Sequence, residues 1–273
     1  MSELGYIEGK DFVVEWRFAD GKYERFPELA AELVSMKVDV IVAGTPPAIP
    51  VLKKATSTIP IVMGIALDPV ASGFVASLSR PGGNITGLAA TSDINVKHLD
   101  LLKLLLPKLS RVALLVNPEN AGHGAVVKMV QTAGSAARVD IVSVGASTPT
   151  DLPSAFASMN RQSVDAFILV TDGFFLTQRR PIAELAVKHR LPWIVGYREY
   201  MELGGLMSYG QPLSEFYRRT AAYVDRILKG ARAGELPVEQ PTEYEMVINL
   251  KTAKTLGLTI PQSLLLRADQ VIE

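Results

Sequence analysis

The chain has 273 residues, 48% of them apolar, enough for one large domain or two smaller ones. Its 28 basic and 28 acidic residues cancel, so nothing in the charge balance points to nucleic acid or to an anionic membrane surface. There is no cysteine, which excludes disulfides, thiolate metal sites and a cysteine nucleophile, and no apolar run reaches the roughly 18 residues of a membrane-spanning helix.

Residues 11–18, DFVVEWRF, are rich in Val, Phe and Trp and predict a strand. Pro27 opens a predicted helix to about Met36, followed by a strand over 38–42 and a loop containing Thr45 and Pro46. A helix over 48–55 leads to an apolar run, 59–65, that reads as a buried parallel strand. Ala66, Leu67, Asp68 and Pro69 form the loop at its end, and Val70, Phe74, Val75 and Leu78 give a weak helical pattern. Pro81-Gly82-Gly83-Asn84 then turns the chain into a strand over 85–88. Strand and helix alternate throughout, which argues for a doubly wound α/β layer.

Residues 89–93 read as a crossing into a second such series. Ser92 or Asp93 caps a helix that runs to Leu106 and is stopped by Pro107. Strands follow over 111–116, 139–144, 166–170 and 193–195, with helices over 124–137, 152–159 and 177–189 between them. Residues 204–210 read as a return crossing, and 214–229 as an amphipathic helix ending at Gly230. A third crossing over 237–241 precedes a strand over 243–250. Two lobes are therefore expected, 1–89 with 211–241 and 90–210 with 242–273.

The dinucleotide G-x-G-x-x-G pattern, the P-loop and the G-x-S-x-G elbow are all absent. His98, His123 and His189 have no metal-ligand spacing, so no metal site and no cofactor are expected; His98 and His189 are expected to face solvent. What remains is a set of loops at strand carboxyl ends, where ligands of open α/β sheets bind. They carry Thr45, Pro46, Ala66, Asp68, Asn117, Asn120, Thr171, Asp172, Phe174, Phe175 and Tyr197, joined by Tyr209 at the return crossing. Amides, carboxylates and aromatic faces suit a small polar or amphipathic molecule. Asp172 is a partner for an ammonium group, and Thr45, Asn117 and backbone N–H groups are donors for a carboxylate. Asp68, Asn117, Asn120 and Asp172 are equally read as caps or turn residues, and Tyr197 and Tyr209 as packing residues.

Three long phrases carry a resemblance: ELGYIEGKDFVVEWRFADGKYERFPELAAELV at 3–34, STIPIVMGIALDPVASGFVASLSRPGGNITG at 57–87, and GELPVEQPTEYEMVINLKTAKTLGLTIPQSLLLRADQVIE at 234–273. They resemble the ABC-transporter substrate-binding proteins of the tryptophan/tyrosine-binding type, which have a type I periplasmic-binding-protein fold. The resemblance implies two Rossmann-like lobes joined by a three-crossing hinge, a periplasmic or cell-surface location, an ABC permease as partner and no enzymatic activity. It makes an aromatic amino acid or a related carboxylate the leading ligand class. An enzyme on the same scaffold and an effector-binding sensor domain are the alternatives. MSELGYIEGK has no signal-peptide pattern. In the resembling family a first strand and the start of a helix precede such text, so the first lobe is expected to lack its first strand. A dimer or strand exchange through that lobe is a corresponding expectation.

Overall fold

The structure, a computed structural model, describes residues 1–90, 93–240 and 243–273. In chain order it forms α1 (Phe26–Ser35), β1 (Ile41–Ala43), α2 (Ala48–Ala55), β2 (Ile61–Leu67), β3 (Ile85–Ala90) and α3 (Ile94–Leu105). Next come β4 (Arg111–Val116), α4 (His123–Ala137), β5 (Asp140–Gly145), α5 (Asp151–Arg161), β6 (Ala166–Leu169), α6 (Gly173–Thr177) and α7 (Arg179–Lys188). The chain continues through β7 (Trp193–Val195), β8 (Met207–Gly210), α8 (Leu213–Leu228), β9 (Glu245–Asn249), α9 (Leu250–Thr255), α10 (Gln262–Leu265) and β10 (Gln270–Ile272). It divides into two compact units: unit 1 is Met1–Thr91 with Leu213–Thr242, and unit 2 is Ser92–Pro212 with Glu243–Glu273. The expected cap Ser92, residues 91–92 of the first crossing and the end of the third crossing lie outside the described residues.

Unit 1 is built on a parallel sheet in the order β1-β2-β3. Side chains alternate across a strand, so β2 is buried on both faces. Ile61 and Met63 pack with Ile41 of β1 and with Ala30, Ile49 and Leu52 on the apolar sides of α1 and α2. Val62 and Leu88 pack on the other face against Phe216, Tyr223 and Ile227 of α8. That spacing gives α8 a single apolar stripe. Tyr223 donates to the Pro237 carbonyl at 2.5 Å, and Thr86 to the Leu236 carbonyl at 2.6 Å, which fastens the 236–238 segment beneath the sheet. Gly87 has φ +127, and a Cβ there would run into the Met63 backbone, where the β2–β3 register shifts. Only glycine fits that close approach.

Several expectations are corrected here. Residues 13–18 join no sheet, and Val13, Trp16 and Phe18 are 71%, 65% and 63% exposed. Local β propensity does not make a strand without a neighbour to complete its ladder. Residues 70–78 form turns rather than a helix; Asp68 at φ 38 and Gly73 at φ 68 break the helical path. Ala66 lies inside β2, fully buried and opposite Ala89, because the strand runs on until Asp68 turns it. His98 is fully buried in α3, not solvent-facing.

Unit 2 is a seven-stranded sheet in the order β10-β9-β8-β7-β6-β4-β5, parallel except for the antiparallel β8–β9 pair. Right-handed crossovers through helices produce this order. The direction of winding reverses at β4, which sits between β5 and β6. A stacked column of Phe167 and Trp193, with Phe156 and Tyr200 packed edge-on, fills the core beside the sheet.

Candidate functional site

Parallel strands end on a common sheet edge. In unit 2 this aligns Asn117–Gly122 after β4, Thr171–Phe175 after β6, Gly196-Tyr197 after β7, and Tyr209-Gly210 at the end of β8. In unit 1 it aligns Gly44-Thr45-Pro46 after β1 with Asp68 after β2. The loops read from the sequence are therefore brought together within each unit. A Cβ on Gly210 would meet the Gly196 backbone, so these two strand ends approach as closely as glycine allows.

Asp172 is the centre of the unit 2 group. Its side chain is fully buried, and the carboxylate accepts from Asn117 Nδ2 at 3.0 Å, from Asn120 Nδ2 at 2.8 Å and from the Phe174 backbone N–H at 2.9 Å. The last bond caps α6. The two asparagines also close local turns, accepting from the backbone N–H groups of Glu119 and Gly122. The turn reading of these residues is met, and each asparagine uses its oxygen locally and its nitrogen across the loop pair.

His123 completes the cluster. Its Nδ1 accepts from the Asn117 backbone N–H at 3.0 Å, so the proton is on Nε2, which points to the Thr171 carbonyl at 3.3 Å and to Asp172 Oδ2 at 3.7 Å. Burial lowers its pKa from the usual 6.5, against the pull of Asp172 and the Thr171 carbonyl, so the ring is neutral. The sequence marked His123 only by its place near a strand end.

The aromatic residues divide. Phe174 and Phe175 are 3% and 0% exposed and pack on each other with centroids 5.4 Å apart; Tyr197 is buried too. Tyr209 is half-buried, stacks on Tyr244 at 5.5 Å and 16°, and meets the His98 ring edge-on. His98 Nε2 lies 2.6 Å from the Tyr209 carbonyl and therefore carries the proton, while Nδ1 is buried with no hydrogen-bond partner among the described residues. Sequence reasoning missed Tyr244 and His98, because the pairing of β8 with β9 that brings Tyr244 to Tyr209 spans distant stretches of chain.

Two buried hydroxyls have no hydrogen-bond partner among the described residues: Thr45 Oγ1 in unit 1 and Ser208 Oγ in unit 2. Such groups are costly to leave unmade and suit a bound polar molecule. Asp68, in contrast, is exposed and spends one oxygen on the Ala71 backbone N–H at 3.0 Å. Pro46 is half-buried beside Thr45.

A family model described as ABC transporter substrate binding protein matches residues 1–272. The tyrosine-binding protein of Clostridioides difficile strain R20291 is 26% identical over 258 residues, 94% of this chain and 74% of that protein. A conserved domain protein from Vibrio cholerae O1 biovar El Tor has a TM-score of 0.92 at 28% identity, covering 99% of this chain and 90% of that one. An ABC domain from Streptococcus pneumoniae in complex with L-Trp has a TM-score of 0.89 at 25% identity, covering 99% and 92%. The mixed α/β fold with parallel sheets is the fold of these structures.

Proposed function

The chain belongs to the family of ABC transporter substrate-binding proteins, and from that premise we propose that it is the solute-capturing component of an importer for an aromatic amino acid or a related aromatic carboxylate. The supporting observation is the aligned set of strand ends in unit 2, which carries a half-exposed tyrosine pair and a hydrogen-bonded Asn–Asp–Asn–His cluster. An aromatic side chain stacks on Tyr209, with Tyr244 backing the ring. The Asp172 region supplies the negative charge that draws an ammonium group, and the Ser208 hydroxyl is a donor for a carboxylate. A C. difficile relative is named for tyrosine and the S. pneumoniae neighbour holds L-Trp, which points to the same class.

The reading implies no chemistry on the cargo. The solute leaves unchanged to a permease of the same transport system, and the protein works in the periplasm or at the cell surface. Calorimetry of the purified protein against the twenty amino acids and simple aromatic acids tests it, with mass spectrometry of co-purified and recovered ligand. Saturable binding of tryptophan, tyrosine or a related aromatic carboxylate, recovered intact, is the expected result. Binding only of a sugar or a metal ion, or conversion of the ligand, would overturn it.

A further inference from the structure

The net charge of zero hides an uneven distribution in unit 2. Helices α3, α4, α5 and α7 each lead into a parallel strand, so each ends at the sheet edge where that strand begins. This edge lies opposite the strand ends of the candidate site. Lys108 follows α3, Arg138 caps α4, Arg161 ends α5, and Lys188 and Arg190 stand at the end of α7. All five are exposed, and none has an ion pair or a side-chain hydrogen bond among the described residues. They precede β4, β5, β6 and β7, which are adjacent in the order β7-β6-β4-β5. Neighbouring strands lie about 4.8 Å apart, so the row spans about 15 Å.

The acids at this edge are already engaged. Asp140 pairs with Arg111 at 2.7 Å, and Asp165 accepts from the Ser110 and Arg111 backbone N–H groups at 2.7 and 2.9 Å. Lys103, in the last turn of α3, donates to the Ala137 carbonyl at 3.1 Å. With Lys103 and Arg111 the cations number seven against two carboxylates, which leaves five positive charges. The carboxyl ends of four helices, at about half a negative charge each, offset about two of them. The helix dipoles thus account for cations being placed here and are too weak to cancel them. Toward β8, β9 and β10 the same edge carries Glu202, Lys251 and Glu273 and is not basic. Leu104, 39% exposed in the last turn of α3, adds an apolar side chain to the basic half. No Phe, Tyr or Trp is interleaved with the cations, as a groove for single-stranded nucleic acid would require.

We propose that this edge of unit 2 is a docking surface for an anionic phospholipid bilayer. Each unpaired ammonium or guanidinium group gains from the negative potential of such a surface, and cations gathered on one edge act together where an even mixture of charges would cancel. The attachment is weak and salt-sensitive, because the groups are exposed and the helix ends offset part of their charge. It holds the unit with its candidate-site edge turned away from the lipid. No helix among the described residues is long and apolar enough to cross a membrane, so the contact is peripheral. Only a location beside a membrane is taken from the function proposed above.

Co-sedimentation of the 273-residue protein with vesicles of phosphatidylglycerol and phosphatidylcholine, and with vesicles of phosphatidylcholine alone, tests it. Binding to the anionic vesicles only, with release at about 0.5 M NaCl, is expected. Arg138→Gln, Arg161→Gln, Lys188→Gln and Arg190→Gln together should weaken the partition at least about tenfold. Lys97→Gln with Lys128→Gln, which removes charge from other parts of unit 2, should leave it within about threefold. If melting shows that the fourfold variant does not fold, Arg161→Gln with Lys188→Gln is measured in its place and should weaken the partition at least about fivefold. No binding to anionic vesicles, equal binding to both kinds of vesicle, or an equal loss in the basic-edge and control variants overturns the surface. Binding to a DNA duplex as tight as to the vesicles at the same salt overturns the bilayer in favour of any polyanion. Solute calorimetry on the same samples stands apart: its failure counts against the proposed function, and failure of vesicle binding counts against this surface alone.

Discussion

The Asn120 side-chain amide donates to Asp172 at 2.8 Å across 52 positions of sequence, and Asn117 donates to the other carboxylate oxygen at 3.0 Å. Two loops that follow different strands are thereby fixed by one buried carboxylate. Asp172→Asn keeps the size but turns an N–H₂ toward at least one of those amides. Loss of about 2–4 kcal/mol is expected in urea unfolding, with ligand affinity falling in parallel. Asn120→Ala should cost less, because Asp172 keeps its other two donors.

Thr45 separates stability from binding. Its hydroxyl oxygen is buried and has no hydrogen-bond partner among the described residues. Thr45→Val removes that group at nearly constant volume, so Tm should hold or rise while ligand affinity drops by about tenfold. Equal affinity in calorimetry would remove Thr45 from the site.

The tyrosine pair makes a further test. Tyr209→Phe keeps the stacking face on Tyr244 and should leave affinity for an aromatic solute within a few-fold. Tyr209→Ala should weaken it by about 10–100-fold, the range of one lost aromatic contact. Titration calorimetry with the best ligand reads both variants.

The buried histidines set a pH dependence. Burial lowers His98 from 6.5 to about 4 and lowers His123 in the same direction. The unfolded chain takes up protons below 6.5 that the folded chain refuses. Stability is therefore full above 6.5 and is lost as pH falls from 6.5 toward 4, by about 3 kcal/mol for His98 alone. Glu199, raised by desolvation, opposes this slope over the part of the window above its usual 4.5. His98→Gln retains a donor for the Tyr209 carbonyl and cannot ionise. Urea midpoints between pH 7 and 4.5 should fall less steeply in the variant than in the parent.

The apolar runs of β2, β4 and β6 and the stripe of α8 were legible in the sequence because each is a local pattern read by period. The loops after β4 and β6 were legible for the same reason, as polar text after apolar text. The bonds from Asn117 and Asn120 to Asp172 were not, since nothing local encodes which loops the sheet order brings side by side. Residues 11–18 failed in the opposite sense. Their propensity is that of a strand, but a strand exists only with a partner. Residues 70–78 failed because Asp68 and Gly73 take left-handed backbone angles that override a weak apolar period.

The division of the chain has a consequence for how it is made. The face of the unit 1 sheet formed by Val62 and Leu88 is covered by α8, which begins at Leu213, and the unit 2 sheet gains β9 only from Glu245. Neither half is finished when its first strands emerge from the ribosome. A nascent chain halted near residue 212 would present bare sheet surface from one half and an open strand, β8, from the other. Assembly therefore waits on the last quarter of the polypeptide, and any cellular factor that keeps the early part from aggregating has to act until that stretch has been synthesised.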